Sequence, residues 1–179
     1  MSVQHLAVTW PARYTAPAVN KLPLILSLIA VAGLCHADLR SELMAANRKV
    51  EKAAKAKDIK GAEAAYKESV TSDFKYVHAG KAQDFKTFLG EFTASIAMTD
   101  KVASSSTRII SLKESGNKAT GKIERKMTGT MRTADKKIHT MDWTGEFTEE
   151  YRKVGGKWKT ATMTAGKQKF LMDGKPVKM

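Results

Sequence analysis

The sequence predicts an α+β domain in which three N-terminal helices pack on a strongly curved antiparallel sheet of four to five strands. Three observations predict it. Between Leu39 and Ile96 apolar residues recur in stretches at helical spacing, the mark of amphipathic helices. From Ser104 onward the apolar period falls to two, the mark of strands buried on one face. Helices first and strands after is the α+β order. The strands are also long for the domain: residues 136–154, at about 3.3 Å each, would run about 60 Å if straight. They must bend, and Gly121, Gly129 and Gly145 are where the bends are expected.

Leu39, Leu43, Ala46, Val50 and Ala53 form the first helical stripe. Asp58 is an N-cap for a second helix with the stripe Ile59, Ala62, Tyr66 and Val70; Gly61 within it costs about 1 kcal/mol against Ala. Residues Asp73–His78 alternate and read as a short strand closed by Ala79-Gly80. Phe85, Phe88, Leu89, Phe92 and Ile96 give the third helix the strongest amphipathic face in the chain. Turn signals at Gly116-Asn117, near Ala134-Asp135 and at Gly155-Gly156 then separate strands at about 105–114, 118–132, 136–154 and 157–171. No linker or repeat interrupts this run, so residues 38–179 form one expected domain.

Ahead of it, Leu22–Ala37 is the most apolar stretch. It is short for a membrane span of about 20 residues. Lys21 before it, and Cys35 and Ala37 at the small positions preceding Asp38, fit a secretory signal. Residues 1–37 are therefore expected to be a leader, cut near Ala37, with export to the periplasm or beyond and only transient contact with the membrane. Residues 1–18 fit a signal poorly, and a start at Val19 would give a compact bacterial-type signal. Leu34 before Cys35 argues against lipid attachment. Cleavage would leave a chain without Cys, excluding a thiol nucleophile and a Cys-ligated metal.

Composition narrows the classes further. The 179 residues suggest one domain, and 42% hydrophobic content excludes wholesale disorder and a multi-span membrane protein. A single Cys excludes a disulfide framework. The 31 Lys and Arg against 18 Asp and Glu give a net charge of +13, which invites a nucleic-acid reading. Only 7 of those cations are Arg, whose bidentate fork base and phosphate readers favour. With export expected as well, no nucleic-acid partner is expected, and binding to anionic polymers stands as a second alternative resting on charge alone.

Parity assigns the strand faces, because a one-residue slip reverses them. In 118–132 the buried set is odd: Ala119, Gly121, Ile123, Arg125, Met127, Gly129 and Met131. In 136–154 it is odd again and includes His139, Met141, Trp143, Phe147, Glu149 and Tyr151, which requires an odd-length loop or a bulge near Ala134. Two-residue turns then place Arg108, Ile110 and Leu112 inward on one side, and Trp158, Thr160, Thr162, Thr164, Gln168 and Phe170 inward on the other. Arg108, Arg125, Trp143 and Gln168 fall roughly on one rung, with Glu149 and Tyr151 beside Thr160 and Thr162. An inward Arg needs a carboxylate or a bound anion. Three readings stand: Arg108 and Arg125 hold an anionic ligand against Trp143, Arg125 pairs with Glu149 for structure, or the arginines snorkel to the open end of the curved sheet. Ala161, Met163 and Ala165 fall outward, which suggests a homodimer through that face.

The run Asp73-Phe74, Tyr76-Val77-His78, Gly80, Phe85 and Phe88-Leu89, with the closing Gly156-Lys157-Trp158-Lys159, resembles the nuclear transport factor 2-like superfamily, in particular its SnoaL-like and uncharacterised secreted bacterial branches. The resemblance implies a cone-shaped fold with a pocket inside the curved sheet. It implies either a module binding a small ligand or a protein partner, or a small cofactor-independent isomerase, dehydratase or hydrolase. As an enzyme it would use Asp73, His78 and Glu149, with Arg108 and Arg125 holding an anion. The candidate pocket lining is Tyr66, Tyr76, Arg108, Arg125, His139, Trp143, Tyr151 and Gln168. Several candidates also have a plainer reading: Asp73 as a turn residue, His78 as a surface histidine, Tyr66 as core. Two isolated histidines give no metal-ligand spacing. Phosphate-binding loops and hydrolase motifs are missing from the sequence, so neither metal nor cofactor is expected.

Overall fold

The computed structural model describes residues 22–177, with side chains from Asp38 onward. The chain divides into two units, Met1–Leu34 and Cys35–Met179; the second carries the sheet, the core and the cavity. The expected cut at Ala37 lies outside the residues whose side chains are described. Among the described residues no helix is long and apolar enough to cross a membrane.

The order is α1 (Leu22–Lys55), α2 (Ile59–Ser69), β1 (Val70–His78), β2 (Lys81–Asp84), α3 (Phe85–Met98), β3 (Thr99–Ser115), β4 (Lys118–Arg132), β5 (Ile138–Val154), β6 (Lys157–Met172) and β7 (Lys175–Pro176). Helices α2 and α3 start where their caps place them. Asp58 accepts from the Gly61 amide at 2.8 Å and Asp84 from the Thr87 amide at 2.8 Å, each satisfying an orphan donor of the first turn. The sheet is seven-stranded in the order β2-β1-β6-β5-β4-β3, with β7 on β6. It is antiparallel except where β1 lies parallel to β6. The short strands β2 and β7 exceed the four to five expected; each is too brief to show a period.

One core joins helices and sheet. Leu39 and Leu43 of α1, Val70 and Phe74 of β1 and Phe88 of α3 pack with Ile109, Ile123, Phe147, Tyr151, Trp158 and Met163 from the inner face of the sheet. The loop between β4 and β5 spans residues 133–137 and is odd in length, so Met131 faces His139 and the odd faces of both strands match. Gly155 and Gly156, both at positive φ (59° and 79°), close the hairpin that pairs Val154 with Lys157. Two of the three glycines expected to bend the strands lie beside register shifts, and such irregularities bend a strand locally. Gly129 pairs with Val102 beside one shift and Gly145 with Gln168 beside another, whereas Gly121 pairs regularly with Leu112. A Cβ on Gly129 would overlap the Lys101 carbonyl oxygen, so only glycine lets β3 come this close.

Bulges correct three parts of the parity reading, because one extra residue reverses every face beyond it. In β3 a shift between Ile109 and Ser111 leaves Leu112 inward on one side and Ile109 and Thr107 inward on the other. Arg108 and Ile110 are consequently exposed. In β6 a shift opposite Glu150 and Tyr151 turns Ala161 and Met163 into the core, with Ala165 packed against it. The outward apolar face that suggested a homodimer is therefore an inner one. Glu149 pairs with Met163, not with Thr162, and a further shift between Gly145 and Phe147 returns Gln168 inward.

Candidate functional site

The inner face of the sheet, α1 and α3 enclose a cavity of about 510 Å³, within the range of small-molecule pockets. The helices supply matching rows. Asn47, Val50, Glu51 and Ala54 line it from α1, and Phe88, Glu91, Phe92 and Ser95 from α3. Both rows run i, i+3, i+4, i+7, one face of a helix. The strands add Thr107 from β3, Arg125, Met127 and Met131 from β4, Met141, Trp143 and Phe147 from β5, and Met163, Gln168 and Phe170 from β6. Tyr66 and Tyr76 close the side next to α3. Tyr66 meets Phe88 and Phe92 edge-on, with ring centroids 5.3 and 4.7 Å apart, and Tyr76 lies 5.1 Å from Phe88. The wall is thus aromatic and thioether-rich, apolar yet adaptable.

At the floor sits a buried ion pair. Arg125 Nη1 lies 2.5 Å from Glu149 Oε1, with the two side chains 16% and 2% exposed. Arg125 also donates from Nη2 to Asn47 Oδ1 at 3.1 Å, and its guanidinium stacks 5.0 Å from the Phe147 ring centre. Tyr151 donates to Glu149 Oε2 at 2.8 Å. Burial works against the Arg125 charge, but the Glu149 carboxylate together with the neighbouring Tyr66 and Tyr151 outweighs it, and the guanidinium is held charged more firmly than usual. Burial, then the Glu149 charge, pushes the Tyr151 phenol well above its ordinary range, so it stays a hydrogen-bond donor. Burial raises Tyr66 and Tyr76 too, the former against the pull of Arg125 and the latter against a bond from Gln168. Both remain neutral hydroxyls in the cavity wall.

Of the residues expected to line the pocket, Tyr66, Tyr76, Arg125, Trp143 and Gln168 do so. Arg125 shares a rung with Gly145 and Gln168, and Trp143 sits one inward pair along, opposite Met127 and Phe170. Trp143 Nε1 donates to Gln168 Oε1 at 3.4 Å. The other expected residues lie elsewhere. Arg108 is outside, 70% exposed and 3.2 Å from Glu124, because the β3 bulge turns it over; Thr107 opposes Arg125 instead. Tyr151 is in the core beneath the floor. His139 is held by Asp173 at 2.7 Å, next to Thr140, away from the cavity lining.

The three acid–base candidates are not brought together. Asp73 is largely exposed and 2.5 Å from Arg152; the bonds from Arg152 and then Thr71 hold its carboxyl down at about 2. His78 ends β1 in solvent, with its ring 6.2 Å from Tyr76 and no place in the cavity wall. Glu149 is pinned below the floor between Arg125 and Tyr151. Among the described residues no group of three or more His, Cys, Asp or Glu is placed to hold a metal. Sequence reasoning missed Asn47, Glu51, Glu91 and Thr107. The two helical rows were there to be read, but polar members of a mixed helix face look like solvent-side residues.

No protein-family model and no curated protein matches the sequence. Solved structures do match in fold. One is a nuclear transport factor 2-like protein of unknown function from Shewanella oneidensis MR-1, with a TM-score of 0.52 at 14% identity over 72% of this chain and 98% of that one. A second is a conserved protein from Planctomyces limnophilus DSM 3776, with a TM-score of 0.54 at 14% identity over 72% and 94%. A third is a nuclear transport factor 2-like protein from Cytophaga hutchinsonii ATCC 33406, with a TM-score of 0.50 at 13% identity over 70% and 95%. A curled, mostly antiparallel sheet holding a cavity against helices defines the class. The fold is the nuclear transport factor 2-like fold.

Proposed function

We propose that this protein is an exported binding module that takes up a small, largely apolar molecule in the cavity between α1, α3 and the sheet. The observation that carries the reading is the cavity itself: about 510 Å³ walled by aromatic and methionine side chains, with the cation at its floor already neutralised by Glu149. A binding role fits better than an acid–base enzyme, because Asp73 and His78 lie outside the cavity and Glu149 lies beneath it. Export rests on the apolar leader ending at Ala37, and N-terminal sequencing of secreted protein beginning at Asp38 would support it.

The cavity is tested with a neutral naphthylamine dye whose emission rises in apolar surroundings. Saturable binding is expected in the parent protein. It is expected to be lost in Ser105→Trp and Met127→Trp, each of which puts an indole into the space while circular dichroism reports the fold. Dye binding that does not saturate, or that survives both variants in folded protein, would overturn the reading.

A further inference from the structure

One reading of the sequence gave the cavity an anionic ligand; the charges that line the cavity point the other way. Arg125 is taken by Glu149 and Asn47. Lys126 also borders the cavity, but it sits at an outward position on β4, half exposed and 3.5 Å from Glu124. Two carboxylates remain in the lining, Glu51 of α1, which is half-buried, and Glu91 of α3, which is exposed at the cavity's edge. Thr107 donates to one oxygen of Glu51 at 2.7 Å, and Gln83 to one oxygen of Glu91 at 2.8 Å. Those neutral donors orient the carboxylates without cancelling their charge. Among the described residues neither has a Lys, Arg or His within 4.0 Å. Tyr66, Tyr76, Phe92 and Trp143 line the same cavity, and aromatic π-clouds attract cations.

On the reading that the cavity takes an apolar molecule, we infer that this molecule is an organic cation: an aromatic or aliphatic body bearing an ammonium group drawn to the Glu51 and Glu91 carboxylates and the aromatic lining. Carboxylates and aromatic faces act together on such a group, and both favour it over a carboxylate of the same size. The positive charge of the chain as a whole opposes a cation at long range, but it is carried largely by exposed lysines whose field salt screens within about 8 Å.

Three probes of matched body separate the head groups: phenylbutylamine, phenylbutanol and phenylbutyrate, each titrated against bound naphthylamine dye and by calorimetry. The amine is expected to bind about tenfold more tightly than the alcohol, and the carboxylate most weakly. In Glu51→Gln and Glu91→Gln the ratio of amine to alcohol affinity should fall toward one. Dye binding with the amine no better than the alcohol, or with the carboxylate tightest, overturns the inference and leaves the apolar cavity standing. Failure of the dye itself to bind removes the cavity reading, and the inference with it.

Discussion

Replacing Arg125 by methionine tests whether the floor of the cavity is built as described. Methionine keeps an unbranched chain of comparable reach but removes the charge opposite Glu149. That carboxylate is 2% exposed, and the Tyr151 hydroxyl at 2.8 Å satisfies only its second oxygen, so losing the guanidinium strands a buried charge. Removing one partner of such a pair costs about 3–5 kcal/mol. The Arg125 side chain is itself 16% exposed, which favours the lower half of that range. For a domain of this size about 3–5 °C of melting temperature accompanies each kcal/mol, so Arg125→Met should melt about 9–20 °C below the parent. Adding Glu149→Gln removes the stranded charge while still offering Tyr151 an acceptor. The double variant should recover most of the loss, since a buried pair and a neutral replacement are often close in stability. Urea unfolding followed by circular dichroism on the parent, both single variants and the double gives the coupling energy. An Arg125→Met variant within about 1 kcal/mol of the parent, or a double variant no better than Arg125→Met, would refute the buried pair.

Two further outcomes rest on geometry away from the floor. The Asp73 carboxyl, bonded first by Arg152 and then Thr71, is lowered from 3.8 to about 2 in the folded state; a depressed carboxyl stabilises above its unfolded pKa and loses that contribution as pH falls through the folded one. The melting-temperature gap between parent and Asp73→Asn should therefore be full near neutrality and close as pH falls from about 4 to about 2, and a gap unchanged by pH would contradict the pair. Gly129→Ala should destabilise by about 1–3 kcal/mol in urea unfolding, because the new methyl group must push the β3 backbone at Lys101 away; a neutral result would place β3 farther from β4 than described.

Sequence patterns were legible wherever the pairing runs without local irregularity. The faces of β4 and β5 were readable because their register holds without a shift from Lys118 opposite Arg152 to Arg132 opposite Ile138. Arg125 and Glu149 could therefore be placed inside, and the structural pairing of the two was among the readings. The faces of β3 and β6 were not readable beyond their bulges. Ile109 and Ile110 are adjacent and equally apolar, so nothing in composition says which is buried, yet the former is 6% exposed and the latter 49%. Alternation fails again at Thr160 and Ala161, adjacent residues that are both buried. Arg108 and the Met163 face were lost to these insertions. The helical carboxylates were hidden for a different reason. A helix face is assigned from its apolar members, and a glutamate that borders a cavity has the same spacing and chemistry as one that borders solvent.

The cavity exists because α1 is fastened to the sheet mainly by polar bonds once past Met44. Leu39 and Leu43 are buried, but no residue of α1 beyond them is. Met44 still packs against the core, and from Asn47 onward the contacts with the sheet are Asn47 with Arg125 and Glu51 with Thr107, while half-buried Val50 and Ala54 face open space. A helix packed only to fill the sheet would place large apolar side chains at those positions, since protein interiors are close-packed. This one carries Asn, Val, Glu and Ala there. The Arg125–Glu149 pair is then better understood as a strut than as a source of stability. It ties α1, through Asn47, to β4 and β5 at the base of the cavity, and it neutralises its own charge in doing so. That leaves the charge facing a bound molecule to Glu51 and Glu91, on the two helices that form the opposite wall.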